Sequence, residues 1–225
     1  CVFRAPVDND GFKLMPDLHR RLVVGGPALE RWQDASVDRL PAEAFVGHEH
    51  RARTDTDGSV IHHHIVTVPE GHPDLARVGV VVELSGGFDQ VRWYGRGPLE
   101  NYPDRNRGAM LGVWQAGVDR SPYLVPQEFG LRTDCRWFEF IDPRGRTVRL
   151  DALEGDVLHV SATDHTDDDL FGAAHETELR PRRALVVHVD VVHRGLGTAS
   201  CGPDVLDRYR ILPGEYRFGY RLSVR

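Results

Sequence analysis

Lysine is almost missing from this chain: of its 28 basic residues only Lys13 is a lysine, and the arginines are scattered along the sequence. Interspersed with them are 34 acidic residues, giving a formal net charge of −6. No basic patch is available for nucleic acid or an anionic membrane surface, and neither is expected as a partner. Long apolar runs are missing too. The longest, Val78-Gly79-Val80-Val81-Val82, is far short of the roughly 20 residues that a membrane-spanning helix needs. Cysteine is sparse and odd in number. Cys1, Cys135 and Cys201 show neither pairing nor metal-ligand spacing, which fits a reducing compartment and leads to the expectation of a cytoplasmic protein. The chain opens on Cys1, in mid-pattern at the strand-like Val2-Phe3, so it reads as a fragment of a longer polypeptide.

Period-2 alternation dominates what is there. Tyr216, Phe218, Tyr220, Leu222 and Val224 fall on one side of a strand, with Arg217, Arg221, Ser223 and Arg225 on the other. In 185–192 both faces are largely apolar, which predicts a central strand covered on both sides. Further strands are expected at 59–68, 77–84, 90–95, 136–141, 146–151 and 156–163. Turn signals separate them at Asp57-Gly58, Gly86-Gly87, Pro143-Arg144-Gly145, Glu154-Gly155-Asp156 and Pro213-Gly214. Only two short helices are predicted, one over 27–36 and one following Thr166, a good N-cap with Asp167, Asp168 and Asp169 in the first turn. The pattern gives one domain, 1–225, built as a large antiparallel β-sandwich.

The run Trp93-Tyr94-Gly95-Arg96-Gly97-Pro98-Leu99-Glu100-Asn101-Tyr102-Pro103-Asp104-Arg105 packs aromatics, amides, carboxylates and arginines into a turn-forming segment. Asn101 offers a bidentate amide and Tyr102 an aromatic face with a hydroxyl tip, both suited to sugar recognition. On spacing alone the run is equally a rigid, salt-bridged turn without a ligand. It resembles a signature of the large β-galactosidases of glycoside hydrolase family 2. Other pieces agree in order: Arg4-Ala5-Pro6-Val7-Asp8-Asn9-Asp10, then Pro122 through Arg132, then Gly195-Leu196-Gly197 followed by Ser200-Cys201-Gly202-Pro203. Together they resemble the C-terminal, small-chain domain of such enzymes over almost the whole chain.

That resemblance implies the supersandwich shared with galactose mutarotases. It also implies a retaining β-galactosidase that hydrolyses terminal β-D-galactosides such as lactose, within a homo-oligomer. A preceding barrel domain of the same polypeptide is then expected to carry both catalytic glutamates. Retaining hydrolysis needs two carboxyl groups about 5–5.5 Å apart, and Glu100, Asp104 and Glu128 are the tempting candidates here. The resemblance argues against them, so no catalytic residue is assigned to this chain. Carboxylates beside arginines, as in Asp104-Arg105, are expected to hold loops.

The 195–203 loop is expected to reach the sugar through Ser200, Cys201 and Gly202, with His193 orienting it and Asn101 and Tyr102 nearby. Some relatives place a stacking tryptophan at the position of Cys201; cysteine lacks that platform, worth on the order of 1 kcal/mol beyond burial. No cofactor and no metal are assigned, magnesium or sodium being expected in the parent enzyme outside this chain. His62, His63 and His64 alternate in direction along a strand and so do not converge on one ion. Two readings from other classes stand beside this one: a stand-alone carbohydrate-binding module, and an aldose 1-epimerase, for which no matching histidine set is found. Family members also carry more chain between Phe45 and Asp57-Gly58 than is found here.

Overall fold

A computed structural model of the chain describes residues 1–23, 26–85, 87–118 and 123–225. Gly86, of the expected Gly86-Gly87 turn, and Pro122, which opens one of the motifs, lie outside the described residues. Two antiparallel sheets form a sandwich, and 13% of the chain is helical. The larger sheet has seven strands: β1 (Gly47–Thr54), β2 (Val60–Val68), β4 (Gln90–Gly97), β5 (Met110–Gly117), β7 (Trp137–Ile141), β8 (Thr147–Ala152) and β11 (Gly214–Val224). Their spatial order is β1-β2-β11-β8-β7-β4-β5. The smaller sheet has β3 (Arg77–Ser85), β6 (Arg132–Cys135), β9 (Leu158–Thr163) and β10 (Ala184–His193), in the order β3-β10-β9-β6.

The core lies between the sheets. Val66, Trp93, Phe138, Phe140, Leu150 and Phe218 from one meet Val78, Val160, Val187 and Val189 from the other. Alternation explains this directly, because every second residue of each strand points inward. β10 is the central strand that its two apolar faces predict, paired with β3 on one side and β9 on the other. On its second face His188 meets Asp167 of α3 (Asp167–Gly172) at 3.0 Å, and the same aspartate accepts from the Ala5 N–H of the N-terminal segment.

Both predicted helices are present. The first, α2 (Ala28–Asp34), starts after Pro27 and buries Leu29 and Trp32. In α3, Thr166 accepts from the Asp169 N–H while the Asp169 carboxylate accepts from the Thr166 N–H, closing a capping box. A third helix, α1 (Pro16–Leu22), corrects the count of two; its exposed, weakly periodic sequence carries little amphipathic signal. The single lysine turns out to be structural: Lys13 Nζ donates to the carbonyls of Pro126, Leu170 and Ala173 at 2.6–2.7 Å, joining the end of α3 to the 126 segment. Strands β1, β5 and β6 were absent from the alternation reading. β1 and β5 are sheet edges: β1 is exposed along its whole length, and in β5 the half-buried face of Gly112, Trp114 and Ala116 is masked in the sequence because the exposed face also carries Leu111 and Val113.

Candidate functional site

The Arg4–Asp10 motif folds back on itself inside the protein. Arg4 grips the Asp10 carboxylate through Nε and Nη2 at 2.8–3.2 Å, and both side chains are fully buried. Arg194, just after β10, reaches the same carboxylate at 3.1 Å, and also Asp74 and Asp204 at 2.7 Å each. Arg31 of α2 closes the knot on Asp74 (3.1 Å) and Asp204 (3.0 Å). Arg210 also reaches Asp204 at 3.3 Å, so every aspartate of the knot is met by at least two arginines and no buried carboxylate is left uncompensated. Burial alone would raise the pKa of Asp74, yet Arg194 and Arg31 outweigh it and hold the carboxyl below its ordinary value. The guanidinium groups of Arg4 and Arg194 also lie about 6 Å from the Trp32 ring, whose Nε1 donates to the Asp74 carbonyl at 2.7 Å.

On this base sits the 195–203 loop. Asp104 accepts from the N–H groups of Leu196 (3.0 Å) and Gly197 (2.8 Å). Asn9, beside the knot, donates to the Gly197 carbonyl at 2.9 Å and accepts from the N–H and hydroxyl of Ser200. Arg105 donates to the same carbonyl. From α1, His19 takes the Phe12 N–H on Nδ1 (2.9 Å), which leaves Nε2 to donate to the Ala199 carbonyl at 3.0 Å. The loop glycines serve close approach to the chain itself. A Cβ on Gly195 would lie 2.8 Å from Asp104 and from Val205, and Gly197, at φ +68°, passes equally close to the Val205 backbone. The loop is therefore braced from four sides while Cys201 and Gly202 stay exposed at its tip and Ser200 is half-buried.

The predicted site residues fall into two layers. Ser200, Cys201 and Gly202 come together at the rim. His193, Tyr102 and Asn101 are buried below it, with the His193 and Tyr102 rings 5.5 Å apart. Burial, followed by the Arg4 and Arg77 charges, holds the His193 imidazole well below its ordinary pKa. Asn101 uses its whole amide internally: Nδ2 donates to the carbonyls of Arg96 and Leu99, and Oδ1 accepts from the N–H and hydroxyl of Thr133. Sequence reasoning missed Asn9 and His19 as loop-holding residues. For Asn9 the signal was available in the Arg4–Asp10 motif.

The carboxylates weighed as catalytic candidates are likewise engaged. Glu100 accepts from the Tyr123 hydroxyl and the Gly130 N–H, each at 2.6 Å. Asp104 does hold a loop, through backbone N–H groups. Glu128 is buried against Arg77 at 3.1 Å, and Arg77 also faces Asp190 at 3.1 Å. Burial pushes the Asp190 carboxyl up to about 6 despite the opposing charge of Arg77.

The histidine run behaves as alternation predicts, with His62 and His64 on one face and His63 exposed on the other. The cross-strand neighbours were missed. His50 lies directly opposite His64 in the β1–β2 ladder, and His48 opposite Val66, so four imidazoles share one face. Burial, then the neighbouring His50 and His48, depresses the His64 pKa to about 3.

Comparison with known proteins shows the family. A family model described as beta galactosidase small chain matches residues 1–222. A β-galactosidase from Enterobacter cloacae is 32% identical over 254 aligned positions, covering 97% of this chain and 23% of its own length. The β-galactosidase of Aeromonas hydrophila is 30% identical, covering 95% and 23%, and that of Arthrobacter sp. strain B7 is 28% identical, covering 94% and 24%. The chain spans about a quarter of the length of these curated relatives. On the extent of that match, the chain belongs to the β-galactosidase small-chain family.

Proposed function

We propose that this chain is the C-terminal domain of a retaining β-galactosidase that hydrolyses terminal β-D-galactosides of the lactose type. In this reading the 195–203 loop forms part of the wall of the galactoside pocket, and a preceding barrel domain of the same polypeptide supplies both catalytic glutamates. The domain shapes the pocket and supports contacts between domains or subunits. The observation that carries the reading is the braced loop, fixed by Asn9, Asp104, Arg105 and His19 while Ser200, Cys201 and Gly202 remain at its rim. Such bracing is what a substrate-positioning surface requires, since a displacement of about 1 Å can cost on the order of 10²-fold in rate. The internal engagement of Glu100, Asp104 and Glu128 supports a purely shaping role.

Assays of the isolated 225 residues test this assignment. They are expected to show neither galactoside hydrolysis nor interconversion of aldose anomers. Hydrolysis that tracks the purified chain and disappears in Glu100→Gln or Glu128→Gln would overturn it.

A further inference from the structure

At the open edge of the larger sheet, β1 and β2 bring His48, His50, His62 and His64 into one ladder on the face that carries Val66 and Val68 into the core. The rings are stacked nearly parallel. His50 and His64 lie 4.4 Å apart at 3°, and His50 and His62 lie 5.2 Å apart at 5°. Phe218 and Tyr220 of β11 back them, 4.8 Å from His64 and 4.9 Å from His62. One ring nitrogen from each of His50, His62 and His64 lies within 4.8 Å of the others. His50 Nε2 and His62 Nδ1 are only 3.0 Å apart. His64 Nε2 is buried and has no hydrogen-bond partner, an unusual state for an interior polar atom.

We propose that His50, His62 and His64 form a binding site for a divalent transition-metal ion of the zinc class, with solvent completing the coordination. Imidazole nitrogens suit zinc, copper and nickel, and three protein ligands with one open position is a recurrent zinc arrangement. With Zn–N bonds of about 2.0–2.1 Å, two nitrogens on one tetrahedral ion stand roughly 3.3 Å apart. The His50–His62 separation is close to that. Their short contact is then the metal-free alternative, in which one imidazole donates to the other. In that alternative the parallel rings of His50 and His62 meet end to end with their nitrogens facing each other, so ligation needs rotation about χ2 to turn both lone pairs toward one ion. That torsion is broad for histidine, and the exposed His50 and half-buried His62 have room to turn. Bound metal would pin the exposed edge strand β1 to β2, its only neighbour among the described residues.

The test is titration of the metal-stripped intact protein with Co²⁺, read by visible absorption, alongside His50→Gln and His63→Gln. Wild type and His63→Gln, whose altered side chain lies on the opposite face, are expected to give the same intense low-coordinate cobalt band. His50→Gln should lose it while keeping the wild-type circular dichroism spectrum. Binding should also raise the melting temperature with metal concentration in wild type and not in His50→Gln. Absence of the band in wild type, or an equal band in His50→Gln, would overturn the proposal. Should His50→Gln fail to fold, His62→Gln serves as the second variant with the same two outcomes.

Discussion

Two clusters of ionisable side chains in this molecule follow opposite rules. Beneath the 195–203 loop, Arg4, Asp10 and Arg194 are wholly buried, and each charged group meets more than one partner. At the β1–β2 edge, His48 and His50 are exposed, His62 is half-buried, and the rings meet one another in place of opposite charges. The first cluster has its hydrogen-bonding capacity filled from within, so it fixes structure and leaves nothing for a ligand. The second keeps unused nitrogens and room to rotate, so it can accept one. Chemistry-bearing residue types are therefore ambiguous until burial and partners are known.

The sharpest way to break this contrast is to remove one charge from the knot. Asp10→Ala leaves Arg4 and Arg194 facing each other in the interior without their shared carboxylate. Breaking a buried pair in this way costs about 3–5 kcal/mol. Denaturant unfolding should show a loss of that size, and a loss under about 1 kcal/mol would mean that the knot is not a structural element.

A second test compares a half-buried histidine of the smaller sheet with the ladder. Burial pushes His159 of β9 down to about 4, while its unfolded value is near 6.5. Between those values the unfolded chain binds a proton that the folded chain refuses, so stability falls as pH drops from about 6.5 to 4. For one proton the slope is at most about 1.4 kcal/mol per pH unit. His159→Gln should lose stability less steeply than wild type over that window, as measured by denaturant midpoints. Identical pH profiles would show that His159 titrates normally in the folded state.

The smallest effect is expected at the edge. Without metal, His50→Gln should change stability by no more than about 0.5 kcal/mol, as surface substitutions usually do. A larger loss would place His50 in the core's bookkeeping of contacts and weaken the contrast.

Much of the fold was legible from its strands: the alternation at 214–224 and 60–68 marks one buried face, and the doubly apolar run at 184–193 marks a strand buried on both. β1 was silent, since all eight of its residues are exposed and nothing alternates. Site residues were legible as motifs and opaque as roles. Asn101 and Tyr102 have the right chemistry for a sugar, yet their burial and, for Asn101, the internal partners come from the fold. The knot and the histidine ladder depend on pairings between Arg4 and Arg194, or His50 and His64, that no local pattern records. Asn9 and His19 hold the loop across 188 and 180 residues of sequence, which hides them from any windowed reading.

The claim on which the functional account turns is that the rim of the 195–203 loop faces the galactoside. Its most direct test is kinetic comparison of Cys201→Trp and Cys201→Ser in the intact enzyme. Cys201 is exposed, so neither change disturbs the core. An added aromatic face should strengthen sugar or acceptor binding by about 0.5–1.5 kcal/mol. The account predicts a changed KM, or a changed split between hydrolysis and transfer to an acceptor sugar, for Cys201→Trp at unaltered stability, with Cys201→Ser nearly silent. Unchanged kinetic constants in Cys201→Trp would contradict it, because the loop would then lie away from the pocket.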